Sequence, residues 1–395
     1  MATIAIDSKK SSWLQIIPVM FCFFAMGFVD LVGTACNSVK GDLNLTNTEA
    51  SFIPSLVFFW FLIFSVPTGM LMNKIGRKNT VMVSLIVTLV SLILPLFGNS
   101  YSLILVAFSL LGIGNAIMQT SLNPLVSNLI SPDKLASTLT FGQFVKAIAS
   151  LGATIIIPWG AVAVGSTFGL GWRVIFAIYG IVGLLSVSIL AATPIKEEKP
   201  DKASGFFECI KLLGIPFILL CFIGIICHVG IDVGTNATAQ RIIGERVGVD
   251  PQSAVATMGV TVYFICRMVG CFLGGFLLRV MSPKVFFGIS VLIIVAGTVI
   301  LFFAHSLILL YVAFGLLGFG NSNVFSVIFA QAINHSPNEQ NEVSGLMIMG
   351  LIGGFIFPLC MGWASDIFNH QNAAVAVMAI AVVYLLLYTL RIKKA

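Results

Sequence analysis

The segment FSLLGIGN at residues 108–115 returns with few changes as FGLLGFGN at residues 314–321. Two more stretches are repeated in the second half: LGATIIIP at 151–158 resembles LIGGFIFP at 351–358, and DLVGT at 30–34 resembles DVGT at 232–235. A single match of this kind arises by chance in an apolar chain. Three matches at nearly one offset, about 200 residues, indicate an internal duplication. The two halves of the chain are therefore expected to fold alike.

The composition excludes an ordinary water-soluble surface. Of the 395 residues, 58% are hydrophobic and only 9% are charged, whereas soluble domains carry about 25% charged residues. Crossing a hydrocarbon core takes about 20 apolar residues in a helix. The sequence contains twelve such segments, which predict an all-α membrane protein with twelve transmembrane helices: 13–38, 50–73, 79–98, 101–129, 137–163, 172–194, 209–236, 253–279, 284–304, 306–332, 342–367 and 371–391.

The only long polar connection lies between predicted spans six and seven. It reads PIKEEKPDKAS, residues 194–204, and its charges and prolines are typical of a solvated linker. We therefore expect an N-terminal six-helix bundle at 1–193 and a C-terminal six-helix bundle at 205–395. Together with the duplication, this predicts two pseudo-symmetric bundles with a solute site near the membrane midplane between them.

Lysine and arginine placement predicts the orientation of the chain. Most of the 21 basic residues fall on the side of the N-terminus when the twelve spans are threaded in order. Because cytoplasmic loops carry the excess of basic residues, both termini are expected to be cytoplasmic. The net charge of +6 lies in these short loops and does not indicate a nucleic-acid partner.

Five ionisable residues lie inside the predicted spans, where a charge costs several kcal/mol and usually faces a cavity or a partner: Asp30, Lys146, His228, Asp232 and Arg267. Asp30 is read either as a carboxylate that carries the driving proton or as a structural partner of a distant cation. Lys146 either neutralises Asp30, contacts an anionic group of a solute, or has a purely structural role.

His228 and Asp232 lie four residues apart on one helical face, so the acid can orient the imidazole. They form either a proton relay or a hydrogen-bonded packing pair. Arg267 keeps its charge and therefore needs Asp232 or another acceptor, unless it binds substrate. Asp30, Asp232 and His228 are accordingly the candidates for proton coupling.

Amide side chains supply what a sugar needs, because they both donate to and accept from hydroxyl groups. The candidate set is Asn115, Gln119, Asn123, Gln143, Asn236, Asn321 and Asn323. The residues predicted to bind the substrate are Lys146 and all of these amides except Asn123. For any one asparagine, a hydrogen bond between helices is the alternative. The amides in spans four and ten cluster at the repeated G-x-G-N and just after it, which favours a functional role for these two clusters.

Enzyme classes find no support in the sequence. There is no nucleophile with its base, no phosphate-binding loop, and no CxxC pair among the eight cysteines. His305, His335 and His370 lie at loop edges without metal-ligand spacing. The protein is therefore expected not to be an enzyme and to need no metal and no cofactor.

Between predicted spans two and three, Gly69 to Lys78 reads GMLMNKIGRK. It resembles the loop signature of the major facilitator superfamily, G-x-x-x-D-[RK]-x-G-[RK]-[RK]. The glycines and the basic cluster are kept. The usual acid is Asn73 here, which puts the charge-relay role of that acid in doubt.

Within that superfamily, most of the chain resembles the fucose:proton symporter family. The stretches that carry the resemblance are LTNTEASFIPSLVFFWFLIFSVPTGMLMNKIGRK, NAIMQTSLNPLV, FGQFVKAIASLGA and SGLMIMGLIGGFIFPLCMGWASD.

The resemblance assigns the proton-carrying acid of span one to Asp30. The acid of span four falls on Gln119, where no acid is present. The span-five glutamine falls on Gln143, and the asparagine one turn later falls on Lys146.

The resemblance implies a secondary transporter that takes up a monosaccharide or sugar derivative by cation symport, with the proton as the expected ion. The alternatives are sodium coupling, an acidic sugar or organic anion as solute, and an exporter of the same fold. The partners expected are the solute, the coupling cation and the lipid bilayer. We expect a monomer in a bacterial inner membrane.

Overall fold

The structure is a computed structural model that describes residues 15–45, 47–98, 100–160, 170–195, 205–251 and 253–392. Every regular element within these ranges is helical. Among them, eleven helices are long and apolar enough to cross a membrane, and a shorter apolar helix spans Gln15–Asp30.

The helices of the first half of the chain are α1 (15–26), α2 (Leu31–Leu43), α3 (Asn47–Ile75), α4 (Arg77–Phe97), α5 (Tyr101–Leu129), α6 (Pro132–Trp159) and α7 (Val174–Ala192). The helices of the second half are α8 (Phe206–Lys211), α9 (Pro216–Val247), α10 (Ala254–Leu277), α11 (Pro283–Phe303), α12 (Leu307–Asn321), α13 (Val324–His335), α14 (Gln340–Met349), α15 (Gly353–Phe368) and α16 (Asn372–Tyr388).

Four of the predicted spans are interrupted, and the break in span seven lies near its predicted start, at the 3-10 turn Leu212–Gly214. Span one is broken by the 3-10 turn Gly27–Asp30, and span eleven by the 3-10 turn Gly350–Ile352. Span ten is broken between α12 and α13, where Ser322 Oγ donates to the backbone oxygen of Phe319 at 2.6 Å. A serine that binds the backbone in this way competes with the helical hydrogen-bond ladder. Mid-helix 3-10 segments often mark functional hinges.

Predicted span seven ends too early. The apolar pattern predicts an end at residue 236, whereas α9 continues to Val247. The last three turns carry polar residues, so a search for apolar segments stops before the helix does. The helix ends at Gly248, whose φ of +74° lies in the left-handed region that closes helices.

The described residues fall into two compact units. The described residues of the first unit lie within Met1–Ser131, Val145–Ile210 and Asn338–Met349, and those of the second within Pro132–Phe144, Lys211–Pro337 and Gly350–Ala395. Of the predicted linker at 194–204, residues 196–204 lie outside the described part of the chain, so the division at that linker stays a prediction.

Each unit has its own apolar core. In the first unit, α5 packs against α3 and α4, and α14 packs against α3 and α5. In the second unit, α9 packs against α10, α13, α15 and α16.

The outer surface is apolar as well. On α7, for example, Ile181 is 62% exposed and Leu184 is 56% exposed. Such a surface is stable only against lipid.

Candidate functional site

The break in predicted span one places Asp30 at a junction between two helices. A Cβ atom on Gly27, where the turn begins, would lie 2.5 Å from the backbone oxygen of Lys146. Because so close an approach excludes any side chain, glycine lets the turn lie directly against α6. Phe28 stacks on Tyr179, with ring centroids 4.3 Å apart, and Tyr179 Oη donates to the backbone oxygen of Ala149 at 2.5 Å. These contacts fix the turn beside α6.

Two groups of α6 hold the Asp30 carboxylate. Its Oδ2 lies 3.6 Å from Lys146 Nζ and accepts a hydrogen bond from Ser150 Oγ at 2.5 Å. The Asp30 side chain is 37% exposed, whereas the Lys146 side chain is 15% exposed. A carboxylate that is about one-third exposed and lies 3.6 Å from its cation leaves room for a proton, a cation or a solute to approach it.

Three of the candidate amides follow one another along α5. Asn115 donates to the backbone oxygen of Met26 at 2.7 Å, and Gln119 donates to Asn115 Oδ1 at 2.6 Å. Asn123 donates to the backbone oxygen of Gln119 at 2.8 Å, and its own Oδ1 accepts no bond from the described residues. All three side chains are buried. Asn115 thereby supports the carbonyl that precedes the turn carrying Asp30.

Gln143 and Lys146 belong to different units although they lie one turn apart on α6. Gln143 is buried and lies in Pro132–Phe144, the part of α6 that clusters with the second unit. Lys146 lies in the part that clusters with the first unit.

In the second unit, Asp232 is the centre of a tighter arrangement. Its Oδ2 lies 3.0 Å from a terminal nitrogen of Arg267, and its Oδ1 accepts a hydrogen bond from Tyr263 Oη at 2.5 Å. The side chains of Asp232 and Arg267 are 13% and 22% exposed. Of the two alternatives for Arg267, the ion pair with Asp232 is present in the structure.

His228 bonds to an amide of another helix. Its Nδ1 lies 2.8 Å from Asn321 Oδ1, and Asn321 Nδ2 donates to the backbone oxygen of His228 at 3.2 Å. The structure therefore connects His228 with Asp232 through Asn321 and Tyr263, where the sequence suggested that the acid itself orients the ring.

The other two asparagines of the second unit bond to the backbone. Asn236 Nδ2 donates to the backbone oxygen of Asp232 at 2.8 Å, and its Oδ1 accepts no hydrogen bond from the described residues. Asn323 Nδ2 donates to the backbone oxygen of Gly270 at 3.0 Å and to Ser322 Oγ at 2.6 Å. Asn323 thus ties the start of α13 to α10.

Sequence reasoning missed Tyr263, although it is fully buried and lies between Asp232 and Asn321. A signal was present. Tyr263 precedes Arg267 by four residues, so both side chains lie on the face of α10 that meets Asp232. A tyrosine in an aromatic-rich membrane helix does not stand out by composition alone.

A second missed residue, Glu342 of α14, bonds to the loop signature. Asn73 Nδ2 donates to Glu342 Oε1 at 2.5 Å and Asn73 Oδ1 accepts from Asn341 Nδ2 at 2.6 Å, while Arg77 Nε donates to Asn341 Oδ1 at 2.6 Å. Glu342 is 5% exposed. The sequence position that usually holds an acid holds an amide here, and the carboxylate is contributed by α14.

No group of three metal-ligating side chains occurs among the described residues. The described cysteines are free. Burial raises the pKa of the Cys209 thiol to about 11, with smaller contributions in the same direction from Glu342 and Glu208. A thiol with so high a pKa is a poor nucleophile at neutral pH.

Comparison with known proteins places this geometry in a family. The family model described as Major Facilitator Superfamily matches residues 18–347 and, in a second match, residues 220–395. Together the two matches cover nearly the whole chain.

Two relatives match over most of their length. The glucose/galactose transporter of Brucella abortus is 26% identical over 388 residues, which are 91% of this chain and 90% of the relative. The L-fucose-proton symporter of Escherichia coli is 25% identical over 354 residues, which are 82% of this chain and 80% of the relative.

Among solved structures, the fold is similar to that of the transporter FucP in its outward conformation. The TM-score is 0.84 at 19% identity, and the alignment covers 98% of this chain and all of the other. At this identity the likeness concerns the fold.

Proposed function

Since the chain belongs to the Major Facilitator Superfamily, we propose that it takes up a monosaccharide or sugar derivative by proton symport through alternating access. The observation that carries the proposal is the Asp30 carboxylate, partly exposed at a helix break and shared between Lys146 and Ser150. The relatives named for glucose, galactose and fucose support the substrate class.

In the proposed cycle, Asp30 carries the coupling charge. A carboxylate inside a membrane has to be neutralised, either by a cation nearby or by a proton. Lys146 neutralises it in the empty carrier. A solute that hydrogen-bonds to Lys146 draws the ammonium group away, and a proton then takes its place on Asp30. The gradient drives transport only if the two states bind the proton differently, and the loss of the Lys146 contact supplies that difference.

The amides form the remainder of the proposed solute site. Asn115, Gln119, Gln143, Asn236, Asn321 and Asn323 are proposed to bind hydroxyl groups of the solute together with Lys146. Asp232 and His228 are proposed to assist the coupling. Gln119 has no titratable proton, so span four contributes binding and no coupling acid.

The proposed architecture completes the eleven long apolar helices with a twelfth. Gln15–Asp30 and α2 together form the first crossing, which gives twelve spans in two six-helix bundles. Both termini are proposed to be cytoplasmic, in the inner membrane of a bacterium, and the carrier is proposed to act as a monomer.

Lys146 favours one alternative solute. An ammonium group in a binding site recognises carboxylates as well as hydroxyls, so an acidic sugar is the second candidate. If acidic sugars are the substrate, Lys146→Ala abolishes their uptake and spares that of neutral sugars.

The test is uptake in proteoliposomes. The purified protein is reconstituted and offered labelled glucose, galactose, fucose and glucuronate, while a pH gradient and a sodium gradient are imposed separately. We expect accumulation of a neutral sugar driven by the pH gradient alone. Accumulation that follows sodium at constant pH contradicts proton coupling, and failure of all four solutes contradicts the substrate class.

The role of Asp30 is tested in the same vesicles. We expect Asp30→Asn to keep exchange of labelled for unlabelled solute but to lose accumulation, so that the internal concentration only equals the external one. The control is Asp42→Asn, which alters an acid bonded to Trp172 Nε1 at 2.7 Å and should keep accumulation. An Asp30→Asn protein that still concentrates solute removes Asp30 from the mechanism.

A further inference from the structure

Four side chains of the second unit form a continuous hydrogen-bonded chain. Asp232 Oδ1 is 2.5 Å from Tyr263 Oη, and Tyr263 Oη is 3.4 Å from Asn321 Nδ2. Asn321 Oδ1 is 2.8 Å from His228 Nδ1. His228, Asn321 and Tyr263 are all buried. Buried polar groups of this kind must satisfy one another.

The direction of this chain follows from one backbone atom. Asn321 Nδ2 lies 3.2 Å from the backbone oxygen of His228, and a carbonyl oxygen can only accept. The amide therefore turns its NH2 group toward that carbonyl, since the opposite orientation would set two oxygens against each other. Asn321 Oδ1 then faces His228 Nδ1 and needs a donor there.

The Asp232–Arg267 pair gives the same direction from the other end. Arginine does not lose its charge, and its nitrogen lies 3.0 Å from Asp232 Oδ2. The carboxylate beside it therefore acts as an acceptor, and the Tyr263 hydroxyl donates to it. The oxygen of Tyr263 is then available to accept from Asn321 Nδ2. Both ends of the hydrogen-bonded chain therefore give the same donor-to-acceptor direction.

We propose that Asn321 is a positioning residue that holds the His228 imidazole with its proton on Nδ1 and thereby makes Nε2 the basic nitrogen of the ring. Tyr263 bonds to both Asn321 and Asp232 and so connects the His228 imidazole to the Asp232–Arg267 pair. A neutral imidazole has one N–H and one lone pair, and the nitrogen that faces an acceptor carries the proton. Asn321 thus decides which nitrogen of His228 carries the proton.

The use of that nitrogen in transport rests on the proposed function, in which His228 assists coupling. The position of the proton on the ring does not depend on the proposed function, because that position can be measured without any transport. If uptake experiments contradict the substrate or the ion, the assignment of the His228 proton still stands or falls by its own test.

The test is nitrogen NMR on the full-length protein in nanodiscs, labelled with 15N-histidine and measured at about pH 8, above the ordinary pKa of histidine. The chain has four histidines, and the signals that disappear in His228→Gln belong to His228. We expect Nδ1 of His228 at the shift of a protonated nitrogen and Nε2 at that of an unprotonated one. The reverse pattern overturns the proposal.

Two variants separate positioning from packing. Asn321→Leu removes the acceptor, so the fraction of His228 protonated at Nδ1 should fall and Nε2–H should appear. The matched control is Asn323→Leu, which removes a buried asparagine bonded to Gly270 and Ser322 and should leave the His228 signals in place. An unchanged His228 pattern in Asn321→Leu contradicts the role of Asn321.

Tyr263→Phe keeps the ring and covers the case in which Asn321→Leu does not fold. The carbonyl of His228 still orients the amide in this variant, so Nδ1 should keep its proton while its signal broadens or shifts. The matched control is Tyr384→Phe, which removes a tyrosine bond to α9 at Leu220. Equal effects of both tyrosine variants on the His228 signals overturn the link to Asp232.

Discussion

The two acid–base pairs inside the membrane helices differ in construction. Asp30 lies where predicted span one is broken by a 3-10 turn, 3.6 Å from its lysine and 37% exposed. Asp232 lies within the unbroken helix α9, 3.0 Å from its arginine and 13% exposed. The repeated sequence has an aspartate in each half, but the side chains around Asp30 differ from those around Asp232.

The cations add to the contrast. Lysine carries a compact charge on a flexible stem, whereas arginine is a planar group that keeps its charge and forms fixed pairs. We therefore propose that the first pair can exchange its partner and that the second pair is a fixed part of the fold.

The largest expected difference is in stability. Asp232→Asn leaves the Arg267 charge without its carboxylate, and removing one member of a buried pair costs about 3–5 kcal/mol. Asp30→Asn should cost about 0.2–1 kcal/mol, as for partly exposed pairs. Unfolding of both purified variants by denaturant in one detergent measures the difference. Equal losses would contradict the distinction between an exchangeable and a fixed pair.

The hydroxyl groups that bond the two carboxylates provide a matched comparison, since both lie 2.5 Å from the oxygen they bind. Tyr263→Phe removes the bond of a fully buried hydroxyl to a charged group that is 13% exposed, and we expect a loss of about 1.5–3 kcal/mol. Ser150→Ala removes a bond to a carboxylate that is 37% exposed, and the loss should stay below about 1 kcal/mol. A larger loss in Ser150→Ala would show that Asp30 is the more tightly held acid. The same unfolding measurement applies.

Glycines beside the two acids should respond in the opposite order. In Gly27→Ala the new Cβ would lie 2.5 Å from the backbone oxygen of Lys146. That oxygen cannot move without α6, so we expect a loss of about 1–3 kcal/mol.

In Gly234→Ala the Cβ would meet the Sδ of Met361 at 2.5 Å. A methionine tip can move aside, so the loss should be below about 1 kcal/mol. Melting temperatures of the two variants check this order, and a greater loss in Gly234→Ala would show that the turn at Gly27 yields more readily than α9.

The fold was predictable to the extent that it depends on length and polarity. The apolar segments were found because a lipid environment demands about 20 residues of low polarity per crossing. The interruptions at Gly27, Ser322 and Gly350 were not predicted, since the apolar pattern runs through them. Their position depends on which carbonyl or side chain of a neighbouring helix is near.

The sequence identified the charged residues of the candidate site, but it did not identify all of their hydrogen-bond partners. Asp30, Lys146, Asp232 and Arg267 stood out because charges are costly in lipid. Tyr263 and Glu342 did not stand out. A tyrosine is common in membrane helices, and the glutamate lies at the end of a predicted span.

The sequence by itself therefore determined that the chain is a helical membrane protein with a duplicated plan and a few charged residues inside it. These properties depend on composition and on periodicity along the chain. Only the tertiary structure decided which groups meet: His228 bonds to an amide 93 residues away, and Asn73 bonds to a carboxylate 269 residues away. Hydrogen bonds form only within about 3.5 Å, and contacts that short between distant residues depend on how the helices pack.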